Sequence, residues 1–392
     1  MNESEMGYRG SKSDIISKES VKEQRVDGSW PLFIQANPNN IKRSLRCTLM
    51  GLERGCRNSD LFSKVLLGNS QVKIPTKVLL SKNYSTLSKS LLDPWFLTGF
   101  SDAEGSFIIS IYKNKNSKLN WTVSAYFSIH IHCKDVLLLE MIHKTFGVGI
   151  LRKNNENTVL FRVSDIKELK VIIDHFNKYS LISAKYNDFL LFEQCYNIIK
   201  DKRHLTQDGL NKIIEFRASL NKGLSPELKE AFPNINPVIK PEYEFKGIPN
   251  PNWISGFATG DSSFRVSIEK STSVLGKRVR LCFNTCLHIR EEKLLKGIAN
   301  YFSLYGYNTS KEVSVQLSEK RNTCLLQFRN SSDIESKIIP FFSKYSIQGV
   351  KKLDFNDWCF VAELVKNKEH LTKEGLDKII KIASGINLNR KW

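Results

Sequence analysis

No segment of the chain approaches the ~18–20 consecutive apolar residues of a membrane-spanning helix, so insertion into a bilayer is not expected. No C-x-x-C pair occurs among the eight cysteines, Cys47, Cys56, Cys133, Cys195, Cys282, Cys286, Cys324 and Cys359, which argues against zinc-finger and dithiol redox motifs. Most of them sit in apolar segments and read as reduced, buried thiols. His130, His132 and Cys133 are neighbours in sequence, but the two histidines fit a strand better than a zinc site. No glycine-rich phosphate loop and no Ser/His/Asp constellation supports another class of enzyme. The opening MNESEMGYRGSK lacks the apolar core of a secretory signal and is not acid-poor like an import sequence. A protein encoded inside an organelle would need neither. Acidic charge is scarce too: 40 Asp and Glu stand against 59 Lys and Arg in 392 residues, a formal net charge of +19. That surplus favours a polyanionic partner, nucleic acid before an anionic membrane surface.

What the chain does have is a copy of itself. HLTQDGLNKII at His204 returns as HLTKEGLDKII at His370, with eight of eleven positions identical. FNKYSLISAKYNDF at Phe176 returns as FSKYSIQGVKKLDF at Phe342, and both pairs are 166 residues apart. DPWFLTGFSDAEGSF at Asp93 has its counterpart, NPNWISGFATGDSSF, 157 residues on at Asn250, so the second copy carries about nine extra residues. A repeat this long is a duplicated domain with pseudo-twofold symmetry rather than a solenoid unit. Five of the eleven prolines, Pro226, Pro233, Pro237, Pro241 and Pro249, crowd the joint and predict a semi-rigid linker. The expected organisation is a polar, basic, largely disordered extension over 1–85, a first domain over 86–220, a linker over 221–249 and a second domain over 250–392.

Each copy reads as the same order of elements. Asp93-Pro94 and Asn250-Pro251 are an N-cap followed by proline at the first helical position. After the short helix comes a strand, SFIISIY, then the turn KNKNSK, then a return strand, WTVSAYFSIHIH, which alternates strictly. A helix over about 135–146 and a hairpin over about 149–163 follow. Helices near 166–178, 184–200 and 207–220 complete the copy. The predicted class is α+β: two domains, each a four-stranded antiparallel sheet with helices covering its apolar face.

The first helix of each copy carries the chemistry. Gly99 and Ala103 lie one turn apart on one face, as do Gly256 and Gly260. A small-x-x-x-small face lets two backbones approach closely, so these two helices are expected to pack on each other at the pseudo-twofold axis. Glu104 and Asp261 would then converge at two C-terminal, negatively polarised helix ends. Such an arrangement repels itself unless it holds hard divalent cations such as Mg²⁺, which is a layout for metal-assisted phosphodiester hydrolysis.

LTGFSDAEG and ISGFATGDS resemble the paired signatures of the LAGLIDADG homing endonucleases, in the single-chain form encoded in fungal mitochondrial group I introns. The resemblance runs from about residue 92 to the C-terminus. VKEQRVDGSW, nearer the N-terminus, is similar to a leader of some intron-encoded members. The resemblance implies a mitochondrial, monomeric enzyme that promotes intron mobility. It implies cleavage of double-stranded DNA across the minor groove with short 3′ overhangs. It also implies that the last acid of each motif and the carbonyl before it bind the catalytic metals: Glu104 with Ala103, and Asp261 with Gly260. Two positions depart from the pattern. Thr259 stands where an acid is frequent, and Ser262 stands where the motif has glycine. If that helix exit required positive φ, serine would strain it.

The polar sheet faces are the expected readers of DNA, since a β-ribbon fits the major groove. In the first copy these are Ser106, Ser110, Tyr112, Thr122, Ser124, Tyr126, Ser128 and His130. In the second they are Ser263, Arg265, Ser267, Arg278, Arg280 and Asn284. Lys113, Lys115, Lys118, Arg152, Lys153, Lys270, Lys277, Lys320 and Arg321 crowd the turns and would grip phosphates. The two faces differ, so the target should be long and asymmetric. Tyr301, Tyr305 and Tyr307 read as packing at a helix end rather than base stacking. Two alternatives stay open on sequence alone: an intron maturase that binds its host RNA without cutting DNA, and a decayed site-specific DNA-binding protein.

Overall fold

The computed structural model describes residues 91–305 and 314–387. The extension read over 1–85 and Tyr307 lie outside them. The first copy opens on α1 (Pro94–Glu104), whose N-cap Asp93 accepts the Trp95 and Phe96 N–H at 2.8 and 3.3 Å. β1 (Gly105–Lys113) and β2 (Trp121–His132) follow, then α2 (Val136–Phe146), β3 (Ile150–Lys153), β4 (Thr158–Val163), α3 (Ile166–Lys178), α4 (Lys185–Lys200) and α5 (Gln207–Ser219). After α6 (Pro226–Ala231) the second copy repeats the course. It runs α7 (Pro251–Asp261), β5 (Ser262–Lys270), β6 (Lys277–His288), α8 (Glu292–Leu304), β7 (Val315–Ser318), β8 (Thr323–Phe328), α9 (Ile339–Lys344), α10 (Lys351–Lys366) and α11 (Lys373–Ala383).

Both sheets are four-stranded and antiparallel, ordered β1-β2-β4-β3 and β5-β6-β8-β7. The alternation of the strands sends every second side chain into a core roofed by helices. Phe107, Phe127, Phe161, Phe176, Phe189 and Phe192 meet in the first core. Phe264, Phe283, Phe302, Phe328, Phe342 and Trp358 do so in the second. Rings of this size dominate core energetics, and four of them lie at matching places in the two halves: Phe107 and Phe264, Phe127 and Phe283, Phe176 and Phe342, Phe192 and Trp358.

The extra length of the second copy is localised. Asp135 and Glu291, just before α2 and α8, are 156 apart, whereas Ile150 and Val315, which open β3 and β7, are 165 apart. The added residues therefore fall between the start of α8 and β7: two lengthen α8 and the rest follow it. One more enters after β8: Leu169 and Ile172 of α3 are three apart, and their buried counterparts Ile334 and Ile338 are four apart. The helix absorbs that residue as a π turn over Ile334–Ile338.

The proline-rich joint is not a free spacer. Leu228 of α6 is buried, and Phe232 meets the Trp121 ring. The Ser219 hydroxyl donates to the Val238 carbonyl, and the Asn187 amide to that of Pro241. The Tyr243 hydroxyl donates to the carbonyl of Ile182, Lys293 pairs with Glu242 at 3.0 Å, and the Phe245 ring fills the space above Gly297. The backbone and side-chain bonds that dock this segment on both copies are tertiary and invisible to composition.

Candidate metal and nucleic-acid site

α1 and α7 cross with their backbones in contact. A Cβ on Gly99 would collide with the Trp253 carbonyl and stand 2.9 Å from the Phe257 nitrogen. One on Gly256 would collide with the Phe96 carbonyl and stand 2.9 Å from the Phe100 nitrogen. A Cβ on Gly260 would press on Ala103 and lie 3.2 Å from Glu104 Cγ. The small faces thus make the close approach expected of them and bring the two helix ends together.

That approach sets Glu104 beside Gly260 and Asp261, all only half-buried. Burial raises the Asp261 carboxyl well above the ordinary range, and the charge of Glu104 raises it further. Two acids that disfavour each other's ionisation, at two negatively polarised helix ends, form a donor set suited to a hard divalent cation. Their oxygen chemistry fits Mg²⁺. The carbonyls of Ala103 and Gly260 each accept from a lysine, but each carbonyl has a second lone pair.

Two lysines complete the site. Lys185, the first residue of α4, donates from Nζ to the carbonyls of Ser101 and Ala103 at 3.1 and 3.3 Å. Lys351, the first residue of α10, donates to those of Ala258, Gly260 and Ser262 at 3.1, 2.8 and 2.6 Å. Burial lowers the pKa of both, that of Lys351 to about 8, while the carboxylates of Glu104 and Asp261 hold it up. Sequence reasoning does not single these lysines out, although the signal is present: they are the identical tenth residues of FNKYSLISAKYNDF and FSKYSIQGVKKLDF.

Asp102 is distinct from these acids. It is buried and accepts from Ile182 N, Ser183 N, Ser183 Oγ and Trp253 Nε1, tying α1 to the segment before Lys185 and to α7. Its pKa is raised by burial, against the pull of those bonds. Thr259, its counterpart, accepts only a 3.4 Å bond from Gln348 N. An acid is needed where Trp253 supplies a donor; the matching residue on the other side is Phe96, which has none.

The concern over Ser262 is removed. Its φ is −107° and that of Gly105 is −74°, both extended, so the exit needs no positive φ in either copy. Gly105 is small because a Cβ would stand 2.6 Å from the Ser101 carbonyl and 3.0 Å from the Phe127 ring. In the second copy the Ser262 hydroxyl instead bonds that of Thr285 at 2.6 Å.

The sheet faces opposite the helices carry most of the expected polar residues, with two corrections. Ser128 is 0% exposed and Ser263 6%, because both lie at the base of the sheets beside the motif helices; neither side chain is at the surface. Ser106, Ser110, Thr122, Ser124, Tyr126, His130, Ser267 and Asn284 are partly exposed, and Tyr112, Lys113, Lys115, Arg152, Lys153, Arg265, Lys277, Arg278 and Arg280 are exposed. Arg280 is bound to Glu269 at 3.1 Å and Lys113 to Glu227 at 3.3 Å, so neither guanidinium nor ammonium is held by solvent alone. Arg162, opposite Ser128 in the register and stacked 3.8 Å over the Tyr126 ring, is a further basic group on this face. The alternation of TVLFRV could have identified it.

Comparison with known proteins agrees with this geometry. A family model described as LAGLIDADG endonuclease matches residues 97–196 and 254–362. The probable intron-encoded endonuclease 3 of Neurospora crassa is 36% identical over 388 residues, covering 97% of this chain and 69% of that protein. The LAGLIDADG meganuclease I-CpaMI bound to uncleaved DNA is 45% identical with a TM-score of 0.72, over 76% of this chain and 99% of that one. I-SmaMI, bound to its uncleaved DNA target in the presence of calcium ions, is 40% identical with a TM-score of 0.72, over 76% and 100% of the two chains.

Proposed function

The chain belongs to the LAGLIDADG endonuclease family, and from that membership we propose that it cuts both strands of one specific double-stranded DNA site by divalent-metal-dependent hydrolysis. The observation that carries this reading is the meeting of Glu104 and Asp261 at the crossing of α1 and α7, flanked by Lys185 and Lys351. Its relatives' calcium- and DNA-bound forms support it.

Glu104 and Asp261 would hold the metal, with the carbonyls of Ala103 and Gly260 in reach. When bound, Mg²⁺ supplies an acidified water and neutralises charge at phosphorus. The rest is done by the chain. The Lys185 and Lys351 ammonium groups lie in the field of both carboxylates and would face the charge that builds on the scissile phosphates. Backbone carbonyls fix their positions, so little reorganisation accompanies the reaction. The exposed side chains of the two sheets would bind the flanking duplex, with hairpin-tip lysines on phosphates and Arg265 and Arg278 on base edges. The duplicated centre at a pseudo-twofold axis matches two antiparallel strands, and cutting across the minor groove would leave short 3′ overhangs. Intron-encoded relatives, among them a protein of an ND4 intron and one named for Cox1, support a mobile-intron role in the mitochondrion, and the single-chain duplication would let a monomer perform it.

The test is a duplex carrying the intronless insertion site of the chain's own gene, incubated with and without Mg²⁺. Metal-dependent double-strand cleavage is expected, and Glu104→Gln or Asp261→Asn should reduce it by ~10²–10³-fold, the scale of losing a principal electrostatic group. Cleavage that persists without metal, or survives both substitutions, would refute the reading.

A further inference from the structure

The lysine-bearing helices have an unusual beginning. α4 starts from Ala184 and α10 from Val350, and neither residue has a side chain that can cap. A helix start leaves backbone N–H groups in need of acceptors. The Lys185 N–H finds a local acceptor, Ser183 Oγ at 3.2 Å, but for the N–H of Ala184 and of Val350 the acceptor comes from the opposite half. Glu291, in the single 3-10 turn after β6, accepts the Ala184 N–H at 3.1 Å. Asp135, in the matching turn after β2, accepts the Val350 N–H at 2.7 Å. These contacts link residues 107 and 215 positions apart in the chain.

The exchange is reciprocal, and it acts one residue from each active-site lysine. Gly349, with φ of 66°, keeps the approach open on the second side, since a Cβ there would stand 2.5 Å from Asp135 Oδ1. Glu291 has a second partner, Arg290 Nε at 3.5 Å, which leaves Oε2 to the helix start. A misplaced cap would shift the first turn, and with it the Lys185 or Lys351 ammonium group on its carbonyls.

We propose that Glu291 and Asp135 are positioning residues acting in trans: Glu291 of the second half sets Lys185 on the carbonyls at the end of α1, and Asp135 of the first half sets Lys351 on the carbonyls at the end of α7. This rests on the nuclease reading and deepens it. Each half's cutting centre is then complete only when the other half is docked on it, and damage to one cap falls on one centre. Because the two centres face opposite strands, the two caps govern different strands.

The experiment uses the full chain with Glu291→Ala, Asp135→Ala, Glu291→Gln and Asp135→Asn, and the insertion-site duplex labelled separately on each strand. Single-turnover nicking rates at saturating protein are compared with DNA Kd values. Each alanine variant is expected to bind DNA as the unaltered chain does but to nick one strand ~10–100-fold more slowly, on the scale of losing an orienting partner. Glu291→Ala and Asp135→Ala should spare opposite strands and accumulate opposite nicked products. The amide variants should recover most of the rate, since an amide oxygen can accept the same N–H. Equal slowing of both strands, loss traced to Kd, or amide variants no better than alanine would overturn the proposal. If the unaltered chain cuts neither strand, the nuclease reading itself fails. The trans caps are then judged by amide exchange: Ala184 must lose protection in Glu291→Ala and keep it in Asp135→Ala, with the converse at Val350.

Discussion

At the scale of single residues, burial sets what each titratable group can do. His175 lies under α1, where Thr98 Oγ1 gives its one proton to the Tyr179 carbonyl and so accepts from His175 Nε2, both at 3.0 Å. Burial pushes the imidazole down to about 4 from an ordinary 6.5. Between those values the unfolded chain takes a proton that the folded chain refuses. The contribution of His175 is therefore fully present above pH ~6.5 and is lost as pH falls toward ~4, by about 1.4 kcal/mol per unit. Asp102, Asp135 and Glu291, whose pKa values burial raises, act in the opposite sense. Urea melts of the chain and of His175→Gln isolate the histidine, because the acids cancel in the difference. The stability advantage of the unaltered chain should shrink steadily from pH 7 to pH 4; a constant difference would show that His175 does not titrate as described.

At the scale of elements, the crossing of α1 and α7 depends on two glycines. Gly99→Ala and Gly256→Ala each force a methyl group onto a carbonyl that belongs to a helix backbone and cannot rotate aside. Each should cost about 1–3 kcal/mol or more, the range of overpacking, seen as a lower urea midpoint with m unchanged. A change within ~0.5 kcal/mol, typical of a surface site, would mean the helices are not in contact. This crossing was legible because spacing alone puts Gly99 and Ala103 on one face. The strands were equally legible, since WTVSAYFSIHIH alternates without a break and its counterpart pairs in the same register. Lys185, Lys351, Glu291 and Asp135 were not, for a physical reason: periodicity reports which way a side chain points relative to its own element, not which distant carbonyl or amide it reaches. Ser128 and Ser263 failed differently. Alternation gives the face a side chain points to, not how far its larger neighbours cover it: Ser128 lies between Ser106 and Arg162 in the sheet and Ser263 beside Asn284.

At the scale of the molecule, charge and asymmetry shape recognition. Exposed lysines at the hairpin tips, such as Lys115 and Lys277, would bind phosphates, and exposed Arg265 would bind bases. Binding to the insertion-site duplex should weaken steeply with salt. The slope of log K against log salt should become shallower by about 0.9 for each tip lysine changed to glutamine. Arg265→Ala should leave that slope unchanged and cost about 1–3 kcal/mol on the cognate site alone. Equal loss on cognate and random DNA would place Arg265 on the phosphates instead. The exchanged helix caps carry a consequence for ancestry. An acceptor given by one half and returned by the other is what two identical chains around a dyad would make, each completing its twin. Within one chain the two members of such a pair can differ, and the Asp102–Trp253 bond, with Thr259 and Phe96 opposite it, is a place where the two halves do differ.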